Sequence, residues 1–233
     1  MEKKAVVLLS GGIDSTTCLA IAVKHYGADD VLALTAYYGQ KHMRELEAAD
    51  NVAKFYGVEH IQANLSKVYR LSDCPLLMTS HQKIKHESYA DQLKELGGEG
   101  TVDTYVPFRN GLLLSYAAAI AVSVGAEAIY YGAHADDAAG RAYPDCTPEF
   151  AEAMDNAIYE GSGRLCQLHA PLLNLNKAGV VKKGLALKAP YQLTWSCYEG
   201  GAKPCGTCGT CRDRAAAFAA NGVADPALEK EGC

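Results

Sequence analysis

Short apolar runs alternate along this chain with longer stretches of helical periodicity, the rhythm of repeated β-α-β units. Ala5, Val6, Val7, Leu8 and Leu9 form the first run, and Cys18, Leu19, Ile21, Ala22 and Val23 mark the helix after it. A second strand is predicted over residues 31–36, a helix over 43–56 with Gly57 placed as its C-cap, and a third strand over 58–63. The runs are continuously apolar, as in strands covered on both faces of a parallel sheet. Right-handed crossovers then place ligands at the strand C-termini.

Residues 64–104 break the rhythm. They are polar, hold His81, His86 and Gly97-Gly98-Glu99-Gly100, and predict a mobile flap rather than a further sheet unit. Both histidines are expected beside solvent or substrate, not on a metal. The repeat resumes with Val106-Pro107-Phe108-Arg109-Asn110 ahead of an apolar helix over 111–124 that Gly125 ends. A fourth strand follows over 126–133, then a loop over 134–146 dense in polar groups. Thr147 and Pro148 open a helix to about residue 159, a fifth strand covers 165–170, and a last helix of this unit covers 176–189 before Pro190. The predicted fold is α/β and Rossmann-like: a five-stranded parallel sheet with helices on both faces over residues 1–193, followed by a cysteine-rich segment over 194–233.

The chain has 233 residues, 49% hydrophobic and 21% charged, enough for one such domain with an appendage and unlike a disordered chain. A net charge of −5 argues against an extended nucleic-acid surface, and no run approaches the roughly 20 apolar residues of a membrane span. The first residues lead into a strand without a signal-peptide core, so a cytoplasmic protein is expected. Four of the nine cysteines, Cys197, Cys205, Cys208 and Cys211, fall within fifteen residues. In a reducing compartment such a cluster points to metal rather than disulfides. The thiolates suit either a tetrahedral zinc ion or an iron–sulfur cluster. The helix over 212–220 would be pinned to the fold by that ion.

The richest chemistry lies at the end of the first strand: Leu8, Leu9, Ser10, Gly11, Gly12, Ile13, Asp14, Ser15, Thr16, Thr17 and Cys18. A tight glycine turn between strand and helix turns backbone N–H groups and hydroxyls toward an anion, and the helix N-terminus adds its partial positive charge. The common nucleotide loop has four residues between its glycines and a Lys before Ser or Thr. Here the glycines are adjacent and no Lys follows. Ser-Gly-Gly-x-Asp-Ser instead resembles the PP-loop of ATP pyrophosphatases, which cleave ATP between the α and β phosphates.

With Tyr37-Tyr38-Gly39-Gln40-Lys41-His42, Val-Pro-x-Arg-Asn, Tyr143-Pro144-Asp145-Cys146 and the four cysteines in one order, the chain resembles the 7-cyano-7-deazaguanine synthase (preQ0 synthase, QueC) family over nearly its whole length. The resemblance implies activation of 7-carboxy-7-deazaguanine as an acyl-adenylate, attack by ammonia to give an amide, and a second activation to give the nitrile. Each activation releases AMP and pyrophosphate. It further implies ATP, Mg²⁺ and structural Zn²⁺ as cofactors, a homodimer, and no direct contact with nucleic acid or membrane. Ser10, Asp14, Ser15, Arg109 and Lys177 are then expected at the reacting groups, and Leu8 through Cys18 around the nucleotide, with adenine near Ala36 and Tyr37. Arg109, Asn110, Asp137, Tyr143, Asp145 and Glu149 are expected at the deazaguanine acid. Cys146 is expected to be an inert buried thiol. Family members commonly run Asp-Tyr-Ser-Gly before Tyr-Pro-Asp-Cys; here Asp137-Ala138-Ala139-Gly140-Arg141-Ala142 stands instead. Two other classes compete: another PP-loop adenylating enzyme, such as an amidating synthetase or tRNA thiolase, and a zinc-ribbon binding module with a degenerate nucleotide site.

Overall fold

A computed structural model describes residues 2–84, 87 and 89–228. The elements run β1 (Ala5–Leu8), α1 (Ile13–Tyr26), β2 (Val31–Tyr37), α2 (Arg44–Tyr56), β3 (Glu59–Asn64), α3 (Tyr89–Glu95), α4 (Arg109–Val124), β4 (Ala128–Tyr130), α5 (Ala135–Ala138), α6 (Pro148–Gly161), β5 (Gln167–His169), α7 (Lys177–Ala186) and α8 (Gly209–Ala220). The five strands form one all-parallel sheet in the order β3-β2-β1-β4-β5, with Ala5 in register with Val31 on one side and Ala128 on the other.

Alternation along β1 sorts its side chains between two cores. Ala5, Val7 and Leu9 face α1, α2, α7 and α8, packing with Leu19, Val52, Val180 and Phe218. Val6 faces α4 and α6, packing with Leu114, Ala121 and Ile158. Helices therefore cover both faces, as the unalternating apolar runs require. The chain reverses direction across the sheet between β1 and β4. A crevice opens there at the strand C-termini, where doubly wound sheets bind ligands.

β4 and β5 are shorter than the predicted strands over 126–133 and 165–170. β4 pairs with β5 over three residues only, and Gly132 then turns in against the main chain of Asp14. The loop over 134–146 contains α5 and two 3₁₀ turns, and α4 begins at Arg109, taking in two residues expected to precede it. Within the predicted flap, α3 forms and the segment after it docks on the 139–142 loop, with Gly100 N–H donating to Gly140 C=O at 2.9 Å. Arg141, which sets this loop apart, ion-pairs with Glu99 of that segment at 3.4 Å on the exposed surface. His81 is exposed, and His86 lies outside the described residues.

Candidate active site

The loop after β1 is shaped by a left-handed residue and by a close neighbour. Gly11 has φ +86°, and a Cβ there would collide with the main chain of Glu45 and Ala49 on α2. Ser10 Oγ lies 3.0 Å from Ser15 Oγ, and the Ser15 hydroxyl also reaches the Gly12 carbonyl at 3.2 Å. Gly12 caps α1 without any side-chain acceptor. The first-turn N–H groups of α1 thus keep their capacity for an anion, and the helix dipole favours one there.

Lys177 opens α7 and reaches back across the crevice. Its Nζ donates to both oxygens of Asp14, at 2.6 and 2.8 Å, and lies 3.3 Å from His134 Nε2. His134 Nε2 is in turn 3.3 Å from Asp137. The Lys177 main-chain N–H donates to Asp136 at 2.7 Å. Burial would raise the Asp14 carboxyl, but Lys177 and His134 outweigh it and hold Asp14 below its ordinary value. Burial likewise opposes the Lys177 charge, and Asp14 and Asp137 restore it, keeping the ammonium above its usual range. Asp137 moves the other way, because burial there exceeds the pull of His134 and Lys177. Two carboxyls on one cluster are thereby driven apart.

A cavity of about 720 Å³ joins this cluster to a second group of residues. Leu8, Leu9, Ser10, Gly12, Ile13, Asp14, Ser15 and Ala36 line it, together with Lys177, His134 and Asp137. Farther along lie Arg109, Asn110, Tyr143 and Cys146. Arg109 donates to the Tyr38 hydroxyl at 3.2 Å, with its guanidinium 5.4 Å from the ring centroid, and it makes no ion pair among the described residues. A half-buried, always-charged fork with no ion pair among the described residues suits an oxyanion from a ligand.

Seven of the expected residues lie elsewhere. Gly11, Thr16, Thr17 and Cys18 do not line the cavity; the Thr17 hydroxyl is spent on Ile13 C=O at 2.8 Å and Tyr191 OH at 2.7 Å in the core. Asp145 is 3% exposed and accepts the Asn110 main-chain N–H at 2.8 Å, capping α4 from 35 residues away. The cap is needed because Phe108, in a left-handed conformation at φ 54°, supplies none. Glu149 is exposed at the start of α6, away from the cavity. Tyr37 turns to the other side of the sheet end, its hydroxyl 3.2 Å from Met78 Sδ. The Cys146 thiol accepts from Asn110 Nδ2 at 3.1 Å, and burial pushes it far above the thiol range, which leaves it un-ionised.

The cavity also takes residues that no motif marked. His134 belongs to a polar stretch at the end of β4, and that position is the signal that could have found it; Glu45 lies in the first turn of α2, where no local pattern marks it. Trp195, Tyr198 and Asp213 come from the cysteine-rich segment, and their presence depends on how that segment folds back. Its four thiols converge: the sulfurs of Cys197, Cys205, Cys208 and Cys211 lie within 4.8 Å of one another. Main-chain N–H groups of Cys205 and Cys208 point at sulfurs of the set, at 3.3 Å each, which favours thiolates. The donor set and spacing fit a single four-coordinate metal ion.

A fold match supports the sheet alone: a solved structure described as NMN synthetase from Francisella tularensis aligns with a TM-score of 0.51 at 18% identity, over 98% of this chain and 82% of that one. Sequence likeness is stronger. A protein of Archaeoglobus fulgidus named 7-cyano-7-deazaguanine synthase is 44% identical over 229 residues, 98% of this chain and 91% of its own. One of the same name from Oceanobacillus iheyensis is 43% identical over 231 residues, 96% of this chain and 97% of its own. The family model described as queuosine biosynthesis protein QueC matches residues 4–222, a span that takes in β1, the crevice and all four converging thiols. The chain therefore belongs to the queuosine biosynthesis protein QueC family.

Proposed function

We propose that this enzyme converts 7-carboxy-7-deazaguanine and ammonia to 7-cyano-7-deazaguanine, using two ATP and releasing two AMP and two pyrophosphates. The observation that carries the proposal is the sharing of one cavity by a helix N-terminus without a side-chain cap and the Arg109 guanidinium, which makes no ion pair among the described residues. A carboxylate cannot lose hydroxide at neutral pH, so its oxygen must first become part of a better leaving group. Attack on the α phosphorus supplies one, provided the departing pyrophosphate is stabilised. Ser10, Ser15 and the first N–H groups of α1 are placed to receive that charge, and Lys177 adds a cation beside them. Arg109 holds the substrate carboxylate, and the site works by alignment of reactants more than by a protein nucleophile.

Asp14 and Asp137 would hold Mg²⁺ with the phosphates, where it would neutralise charge growing on the leaving group. Zn²⁺ in the four-thiol site would be structural. The test is mass spectrometry after incubating protein with ATP, Mg²⁺, ammonium and the deazaguanine acid. AMP, pyrophosphate and a nitrile are expected. ADP and phosphate, or AMP without a nitrogen-containing product, would overturn the proposal.

A further inference from the structure

Glu45 stands in the first turn of α2 and lines the active cavity with Arg109, Tyr38, His42 and Trp195. Its own main chain is what Gly11 packs against, so the turn that supports the phosphate loop also carries this carboxylate. Asp137, and Asp213 of α8, also line this cavity, both within the field of Lys177. Asp14 is paired with Lys177, Asp145 caps α4, and Asp225 is paired with Arg214. Glu45 has neither a hydrogen bond nor an ion pair among the described residues. The groups acting on it from neighbouring elements are the Arg109 guanidinium of α4 and the Tyr38 phenol after β2; the His42 imidazole, just before its own helix, lines the same cavity.

We propose that Glu45 is the general base that takes a proton from ammonium and delivers ammonia to the acyl-adenylate held beside Arg109. The proposal rests on the adenylating activity above and names the group that prepares its nucleophile. Ammonium has no lone pair to donate, and at neutral pH it is the dominant form of free ammonia. The Glu45 carboxylate accepts one proton, giving a carboxylic acid and NH₃. The nitrogen lone pair forms the C–N bond while the carbonyl π electrons move to oxygen. Collapse of that intermediate breaks the bond to the bridging oxygen, and AMP leaves with the electron pair. The surplus proton on nitrogen goes to the departing AMP phosphate, and Glu45 returns its proton to water. Burial, partly offset by Arg109, pushes the Glu45 carboxyl up to about 7, which matches a base operating at neutral pH.

The test uses the full chain with its metal and compares wild type with Glu45→Gln, which keeps the side-chain volume. In the variant, kcat/KM for ammonium is expected to fall about 100-fold at pH 7, in the range of general-base contributions. The break near pH 7 in the wild-type profile is expected to vanish. ATP–pyrophosphate exchange driven by the acid substrate should persist, and hydroxylamine, already neutral at pH 7, should still be converted to a hydroxamate. An unchanged ammonium profile would overturn the proposal. So would loss of exchange and hydroxamate formation in parallel with ammonium use, because Glu45 would then serve loop shape or adenylation. Failure of the wild-type protein itself to form a nitrile is a different outcome and counts against the adenylation chemistry.

Discussion

The Trp195 main-chain N–H donates to the Gly11 carbonyl at 3.0 Å, tying the approach to the cysteine cluster directly to the turn of the phosphate loop. Trp195 also donates its indole N–H to the Cys197 carbonyl at 2.7 Å, so one residue touches both sites. The cysteine-rich segment is thereby a wall of the cavity as well as the carrier of the four converging thiols.

Metal loss should accordingly be felt in the loop. Stripping the ion with a chelator, or replacing Cys211 by Ala, is expected to cost about 4 kcal/mol or more, the scale of losing a structural metal, and to lower Tm by about 8–16 °C. Trp195 is the sole tryptophan, so its fluorescence reports the change at the loop. A shift in emission together with weaker ATP binding is expected. Emission and ATP affinity that survive metal removal would separate the two sites.

Asp145 and Arg109 should behave differently when replaced. Asp145→Ala removes the acceptor for the Asn110 N–H and is expected to cost about 1 kcal/mol of stability, as a lost helix cap does. Asp145→Asn, which keeps an acceptor, should recover much of it. Neither should raise KM for the acid substrate as far as Arg109→Ala, which removes the guanidinium from the cavity. Urea unfolding and steady-state kinetics on the three variants decide the matter. Equal KM effects for Asp145→Asn and Arg109→Ala would put Asp145 at the substrate after all.

Glu45 also predicts a pH dependence of stability. Its carboxyl is raised from an ordinary 4.5 to about 7 in the folded chain, chiefly by burial. Folding therefore favours the protonated form, so this group's stabilising contribution is fully present below pH 4.5. The contribution is lost as pH rises toward 7. Glu45→Gln has no such group, so the variant should gain stability relative to wild type across that interval and hold the gain at pH 8. Urea titrations at pH 4.5, 6 and 8 check this, and a stability difference that does not change with pH would contradict the raised carboxyl.

Local features of the sequence were legible because their causes are local. Adjacent glycines between an apolar run and a helical pattern can mean little but a tight turn at a strand end, and Gly11 does take a left-handed conformation there. The spacing of four cysteines within fifteen residues allows convergence on one ion, and their sulfurs do converge. Asp145 was less legible. Its motif sits in a loop at a strand C-terminus, as a substrate contact would, yet its partner is a helix start that no local pattern could connect to it. Thr16, Thr17 and Cys18 were misleading for a simpler reason: three successive residues on a helix cannot all face one ligand, and these face the core.

The sequence by itself determined the parallel strands, the helices that flank them and the tight glycine turn after β1, since each follows from periodicity or from steric limits within a few residues. Only the tertiary structure decided which distant groups meet there. Lys177 reaches Asp14 across 163 positions, and Glu45 is set beside Arg109, because strand order and helix docking bring those ends together. Charge acts through space with the inverse of distance, and distance in the fold is unrelated to separation along the chain.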